Sequence, residues 1–125
     1  MAPSDLITAS QLNTQIQAAK AGKIVLIHVG FHVMYQMGHI PGSRYAGPAA
    51  KAEGLAALKK LVAKLPRNQK IVIYCGCCPW NDCPNIRPAF QALKEMGFTN
   101  FKVLDIPQRL GDDWTAKGFP IVKGE

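Results

Sequence analysis

The sequence predicts an α/β fold, a doubly wound parallel sheet flanked by helices on both faces. Two short runs, Ile24–Val29 and Ile71–Tyr74, are continuously apolar rather than alternating, as strands covered on both faces are. Around them apolar residues recur at helical spacing. Strand and helix patterns then alternate along the chain, the order that builds a parallel sheet. With 125 residues, the chain is expected to form a single domain, 1–125.

Each element has its own signal. Thr8 and Gln11 stand three apart, as in a capping box, and Leu12, Ile16 and Ala19 continue a helix that Gly22 stops. Ile24–Val29 is the first strand. One helical turn is expected within Phe31–Met37, and Gly38-His39-Ile40-Pro41-Gly42 is turn chemistry. Ser43–Ala46 is a short extended piece at best. Leu55, Leu58, Leu61, Val62 and Leu65 mark an amphipathic helix ended by Pro66. Ile71–Tyr74 is the second strand and Ile86–Met96 a third helix, closed by Gly97. Phe101–Leu104 is a third strand, and a short helix around Trp114 ends at Gly118.

Composition narrows the function classes. At 48% apolar residues, with 11 Gly and 9 Pro, the chain can bury a core and is neither disordered nor collagen-like. No apolar run approaches the roughly 18 residues of a membrane span, so no membrane partner is expected. Lys and Arg outnumber Asp and Glu by 15 to 8, and no acidic residue occurs between Asp5 and Glu53. Such a surface attracts anions. The basic residues are scattered, however. The one cluster, Lys59 to Lys70, reads as the solvated face of a helix, so the expected partner is a small anion and not nucleic acid. Residues 1–5 lack the basic-then-apolar start of a signal peptide. The compartment is expected to be cytoplasmic or, if a signal peptide was removed, periplasmic.

The four cysteines carry the chemistry. Cys75, Cys77, Cys78 and Cys83 sit together, whereas disulfides that staple a small fold are spread out to close long loops. Clustered thiols on one loop point to thiol chemistry or metal binding. Cys75 falls at the carboxyl end of the second strand, where parallel sheets bind ligands. It also precedes the third helix, whose free N–H groups favour an anion. A free thiol titrates at about 8.5, and such surroundings lower it.

In combination, these features resemble a rhodanese-like domain. Gly38-His39-Ile40-Pro41-Gly42-Ser43 matches the family's first signature, and Ile71-Val72-Ile73-Tyr74-Cys75 its strand ending in the active cysteine. Leu93, Gly97-Phe98, Val103, Trp114 and Gly118-Phe119-Pro120 match the C-terminal half. The resemblance implies a rhodanese-like α/β fold and a sulfurtransferase. Cys75 would take sulfane sulfur from a donor such as thiosulfate or polysulfide, hold it as a persulfide, and pass it to a thiol, another thiophilic acceptor or a protein sulfur-relay partner. No cofactor is implied. Two departures stand out. His28 and Gly30 occupy the places of the family's usual Asp and Arg, and the loop after Cys75 is longer than six residues, its first Arg being Arg87. Six positions after Cys75 stands Asn81, so the Cys-x5-Arg of related phosphatases is missing.

Around Cys75, the expected substrate-binding candidates are Gly76, Pro79, Trp80, Asn81, Arg87 and His28. Cys77, Cys78 and Cys83 stand as resolving thiols, as soft-metal ligands, or as partners in a structural disulfide. The alternative to sulfur transfer is therefore a soft-metal-binding or thiol–disulfide redox module built on the same four cysteines. His39 is expected to be structural, and Met34 and Met37 are expected in packing.

Overall fold

The computed structural model describes residues 3–76 and 79–124. Five parallel strands form one sheet in the order β1-β5-β4-β2-β3. They are β1 (Leu6–Thr8), β2 (Ile24–His28), β3 (Ser43–Tyr45), β4 (Lys70–Tyr74) and β5 (Phe101–Asp105). The helices are α1 (Ala9–Asn13), α2 (Ile16–Lys20), α3 (His32–Met37), α4 (Ala52–Val62), α5 (Ile86–Glu95) and α6 (Leu110–Asp113). A 3-10 turn at Thr115–Lys117 follows α6. This is the α/β class that the sequence predicts.

Successive side chains on a strand point to opposite faces, and the apolar runs therefore feed two cores. Val25, Ile27, Ile71, Ile73 and Val103 pack with Leu58 and Val62 of α4 and with Ile86, Ala89 and Leu93 of α5. Ile24, Leu26, Val72, Tyr74 and Leu104 face the other way, with Leu12, Ala19, Leu110 and Trp114. Every residue of β2 is buried, which is why its sequence shows no alternation.

Three expectations need correction. The sheet has five strands, not three. Leu6–Thr8 was not anticipated because three residues are too few to show a period; parallel pairing of Leu6 with Val103 and of Thr8 with Asp105 makes it an edge strand. Ser43–Tyr45 is a full edge strand beside β2. The first helix is two. The Thr8–Gln11 capping box starts α1, but the Thr14 hydroxyl donates back to the Gln11 carbonyl at 2.7 Å, and Gln15 N–H donates to Leu12 O in a tighter turn. Local bonding by a short polar side chain interrupts the ladder there.

Tyr74 ties the Gly38–Ser43 turn to the central strand. Its hydroxyl accepts from Ile40 N–H at 3.1 Å and lies 2.6 Å from Ser43 Oγ. Burial pushes that hydroxyl well above the usual tyrosine range, so it stays neutral. Tyr74→Phe leaves the buried Ile40 N–H without its acceptor. We expect a loss of about 1–3 kcal/mol, seen as a lower urea midpoint with an unchanged slope.

Candidate active site

Cys75 follows the last residue of β4, the middle strand, and points toward the α4 and α5 side with Ile71 and Ile73. It is 3% exposed and Cys83 is 2% exposed. Both cysteines lie in one core cluster, and Trp80 packs against it. Trp80 N–H donates to Ile106 O, Asp82 N–H to Pro79 O and Ile86 N–H to Cys83 O. Cys77 and Cys78 lie outside the described residues.

A side-chain donor, Asn85, stands beside the sulfur. Its Nδ2 lies 3.9 Å from Cys75 Sγ and 3.8 Å from Cys83 Sγ, while its Oδ1 accepts from Ala50 N–H at 2.9 Å. An amide nitrogen has two hydrogens, so each sulfur can receive one. Asn85 is the N-cap of α5 but makes no side-chain bond to the helix. One of the best capping residues thus gives up its capping role and spends every polar atom on the thiol loop and the segment after β3. The sequence reading stopped at the helix start; an Asn directly after Cys83-Pro84 was the signal that could have been used.

On the other side of the sulfur stands Gly30. A Cβ there would sit 2.8 Å from Cys75 Sγ and 3.0 Å from His28 Cε1, so only glycine fits beside this thiol. Its peptide is clamped: Gly30 N–H donates to His28 Nδ1 at 3.2 Å, and Tyr45 Oη–H donates to Gly30 O at 2.9 Å. Burial, and less strongly the charge that a Cys75 thiolate would carry, pushes the pKa of the Tyr45 hydroxyl above its ordinary range.

His28 pairs in register with Tyr74 of the neighbouring β4. By pairing with β4, His28 is thus set one residue from the level of Cys75. It is fully buried and meets Tyr74 edge-on, with ring centroids 5.0 Å apart. Because Nδ1 accepts from Gly30, the proton sits on Nε2, which has no hydrogen-bond partner among the described residues. Burial, with a smaller contribution from His39, lowers its pKa to about 4. His28 is thus a neutral clamp at pH 7. His39 fills the structural role expected of it, stacked on Tyr35 at 3.8 Å with Nδ1 bonded to Tyr35 O.

The remaining candidates are dispersed. Gly76 is buried, its carbonyl accepting from Leu110 N–H. With Met34, Met37, Leu110, Ile121 and Lys123 it lines a mostly apolar cleft of about 190 Å³. Met34 and Met37 therefore face this cleft, and Met37 is 65% exposed, so core packing does not describe it. Pro79 and Trp80 are half-buried and Asn81 is exposed. Arg87 is exposed on α5 and lines a shallow groove with Phe90, Gln91 and Lys94, a set that includes no cysteine.

The His28 shift carries a stability consequence. Its pKa is lower in the fold than the ordinary 6.5, so the unfolded chain binds the extra proton first. The stability it contributes is present above pH 6.5 and is lost as pH falls toward 4, by up to about 3 kcal/mol. His28→Asn keeps an acceptor for Gly30 N–H but cannot titrate. Urea unfolding at pH 7 and at pH 4.5 should show a shallower acid loss for the variant than for the parent.

Comparison with known proteins agrees with this architecture. A model of the rhodanese-like domain family matches residues 8–106. An HTH-type transcriptional regulator of Mycobacterium tuberculosis is 30% identical over 126 residues, which cover 98% of this chain and 46% of that protein; the chain thus spans about half the length of that curated relative. The solution structure of the rhodanese-like domain of an Anabaena protein superposes with a TM-score of 0.66 at 19% identity, covering 95% of this chain and 79% of the other. The crystal structure of a thiosulfate sulfurtransferase from Pseudomonas aeruginosa gives a TM-score of 0.69 at 16% identity over 96% of this chain and 20% of that one. With five parallel strands, the cysteine at the end of the middle one and a family match across most of its length, the chain belongs to the rhodanese-like domain family.

Proposed function

We propose that this protein is a sulfurtransferase that holds sulfane sulfur as a persulfide on Cys75. The observation that carries the proposal is Cys75 at the carboxyl end of the central strand with the Asn85 amide on its sulfur. A hydrogen bond to sulfur favours the anionic form, and the thiolate is the nucleophile. It attacks the outer sulfur of a donor such as thiosulfate, polysulfide or a low-molecular-weight persulfide. The donor's remainder leaves with the bonding electron pair, and the sulfur stays on Cys75. A thiol or other thiophilic acceptor, or a protein sulfur-relay partner, then removes it.

Three features support this reading. The formal charge of +7 favours an anionic donor. Gly30 has no side chain to crowd the sulfur. A thiosulfate sulfurtransferase shares the fold. Nucleic acid and membrane are not among the proposed partners; the basic residues are scattered, and the one cluster, Lys59 to Lys70, lies on and after α4. The metal-binding alternative leans on Cys77 and Cys78, which lie outside the described residues.

A second reading, a thiol- or sulfur-responsive sensing domain, is favoured by the curated relative, a transcriptional regulator of which this chain's length is a part. It would use the same Cys75.

Intact mass after incubation with each donor in turn tests the proposal. The parent should gain one sulfur atom per chain. Cys75→Ser should gain none, and its transfer to cyanide or thiol should fall about a thousandfold or to background. A Cys75→Ser protein that still takes up the sulfur would sink the assignment.

A further inference from the structure

We propose that Cys83 is the resolving thiol of this site, and that Asn85 is the positioning residue that prepares both sulfurs for the exchange. The inference rests on the persulfide reading above and assigns what becomes of the sulfur when no external acceptor takes it. Two buried thiols share one buried amide nitrogen, at 3.9 and 3.8 Å, and nothing in the secondary structure needs that arrangement. Asn85 is itself fixed by Ala50 N–H and is completely buried, so its two hydrogens have set directions. Cys75 ends a strand in the centre of the sheet, whereas Cys83 sits in the turns before α5. One partner is rigid. The other lies on a segment without a hydrogen-bonded ladder, as an exchange that must bring two sulfurs to about 2.05 Å needs.

The chemistry balances within the chain. The Cys83 thiol loses its proton, and the thiolate attacks Cys75 Sγ, the inner sulfur of the persulfide. An Sγ–Sγ bond forms as the bond to the sulfane sulfur breaks, and the electron pair leaves on that sulfur as hydrosulfide. The sulfane sulfur is reduced by two electrons, and the two cysteines are jointly oxidised to a disulfide. A dithiol reductant, small or protein, then returns the pair to thiols by exchange. The proposed substrate class is therefore a sulfane-sulfur donor with a dithiol as co-reactant, and the product is sulfide.

The test loads the full chain with polysulfide, removes excess donor and follows intact mass and sulfide without added thiol. The parent should release one sulfide per loaded chain, and peptide mapping should find Cys75 joined to Cys83. Cys83→Ser and Cys83→Ala should hold the added sulfur at least about tenfold longer; alanine suits the apolar surroundings should serine disturb them. Asn85→Asp keeps the acceptor for Ala50 but replaces both donors with negative charge. It should slow sulfide release and raise the pH at which Cys75 and Cys83 react with iodoacetamide, a shift that a purely structural role would not produce. An unchanged lifetime in both Cys83 variants, or a disulfide mapped to Cys77 or Cys78, overturns this assignment while leaving the persulfide on Cys75 intact. Failure of the parent to take up sulfur from any donor overturns both.

Discussion

A parallel sheet of five strands has no face to spare for water, and this constraint organises everything else in the molecule. Helices must cover both sides, and crossovers between parallel strands consume the chain in strand–helix units. The backbone at the middle of the sheet is satisfied by neighbours on both flanks, so the point where β4 leaves it is the best-fixed position available. Cys75 stands there. Its neighbours at the same level, His28 and Tyr45, are brought by β2 and β3, which are held in register with each other and with β4.

What surrounds the sulfur was obtained by giving up local preference. Asn85 would ordinarily cap α5, and a His at the end of a strand would ordinarily keep a charge within reach of water. In this fold the asparagine points away from its helix and the histidine is buried and neutral. Sequences depart from local rules of this kind where function asks for it. The buried amide and the neutral imidazole have one thing in common: each holds backbone or sulfur in place without adding a net charge beside Cys75.

The sheet was legible in the sequence wherever burial is two-sided. Ile24–Val29 and Ile71–Tyr74 announce themselves because no alternation is possible for them, and Cys75 follows from the second by position. The capping box at Thr8 was equally plain, since it is a purely local bond. The edge strands were not, because Leu6–Thr8 and Ser43–Tyr45 are three residues each and owe their conformation to β5 and β2. The site divided along the same line. The place of Cys75 can be read from strand and loop, but Asn85, Tyr45 and the crowding at Gly30 depend on contacts between segments far apart in the chain. The loop's own bonding was equally hidden: Trp80 N–H reaches Ile106 O, just past β5, and Asp82 N–H turns back to Pro79 O.

Gly30 limits what can be built beside Cys75. In the family this place usually carries an arginine, yet here any side chain would begin 2.8 Å from the reactive sulfur. With the sulfur where it now stands, a side chain at 30 requires the Cys75 side chain to move. Introducing a guanidinium at this place would have to go with a new lie of the Cys75 and His28 side chains.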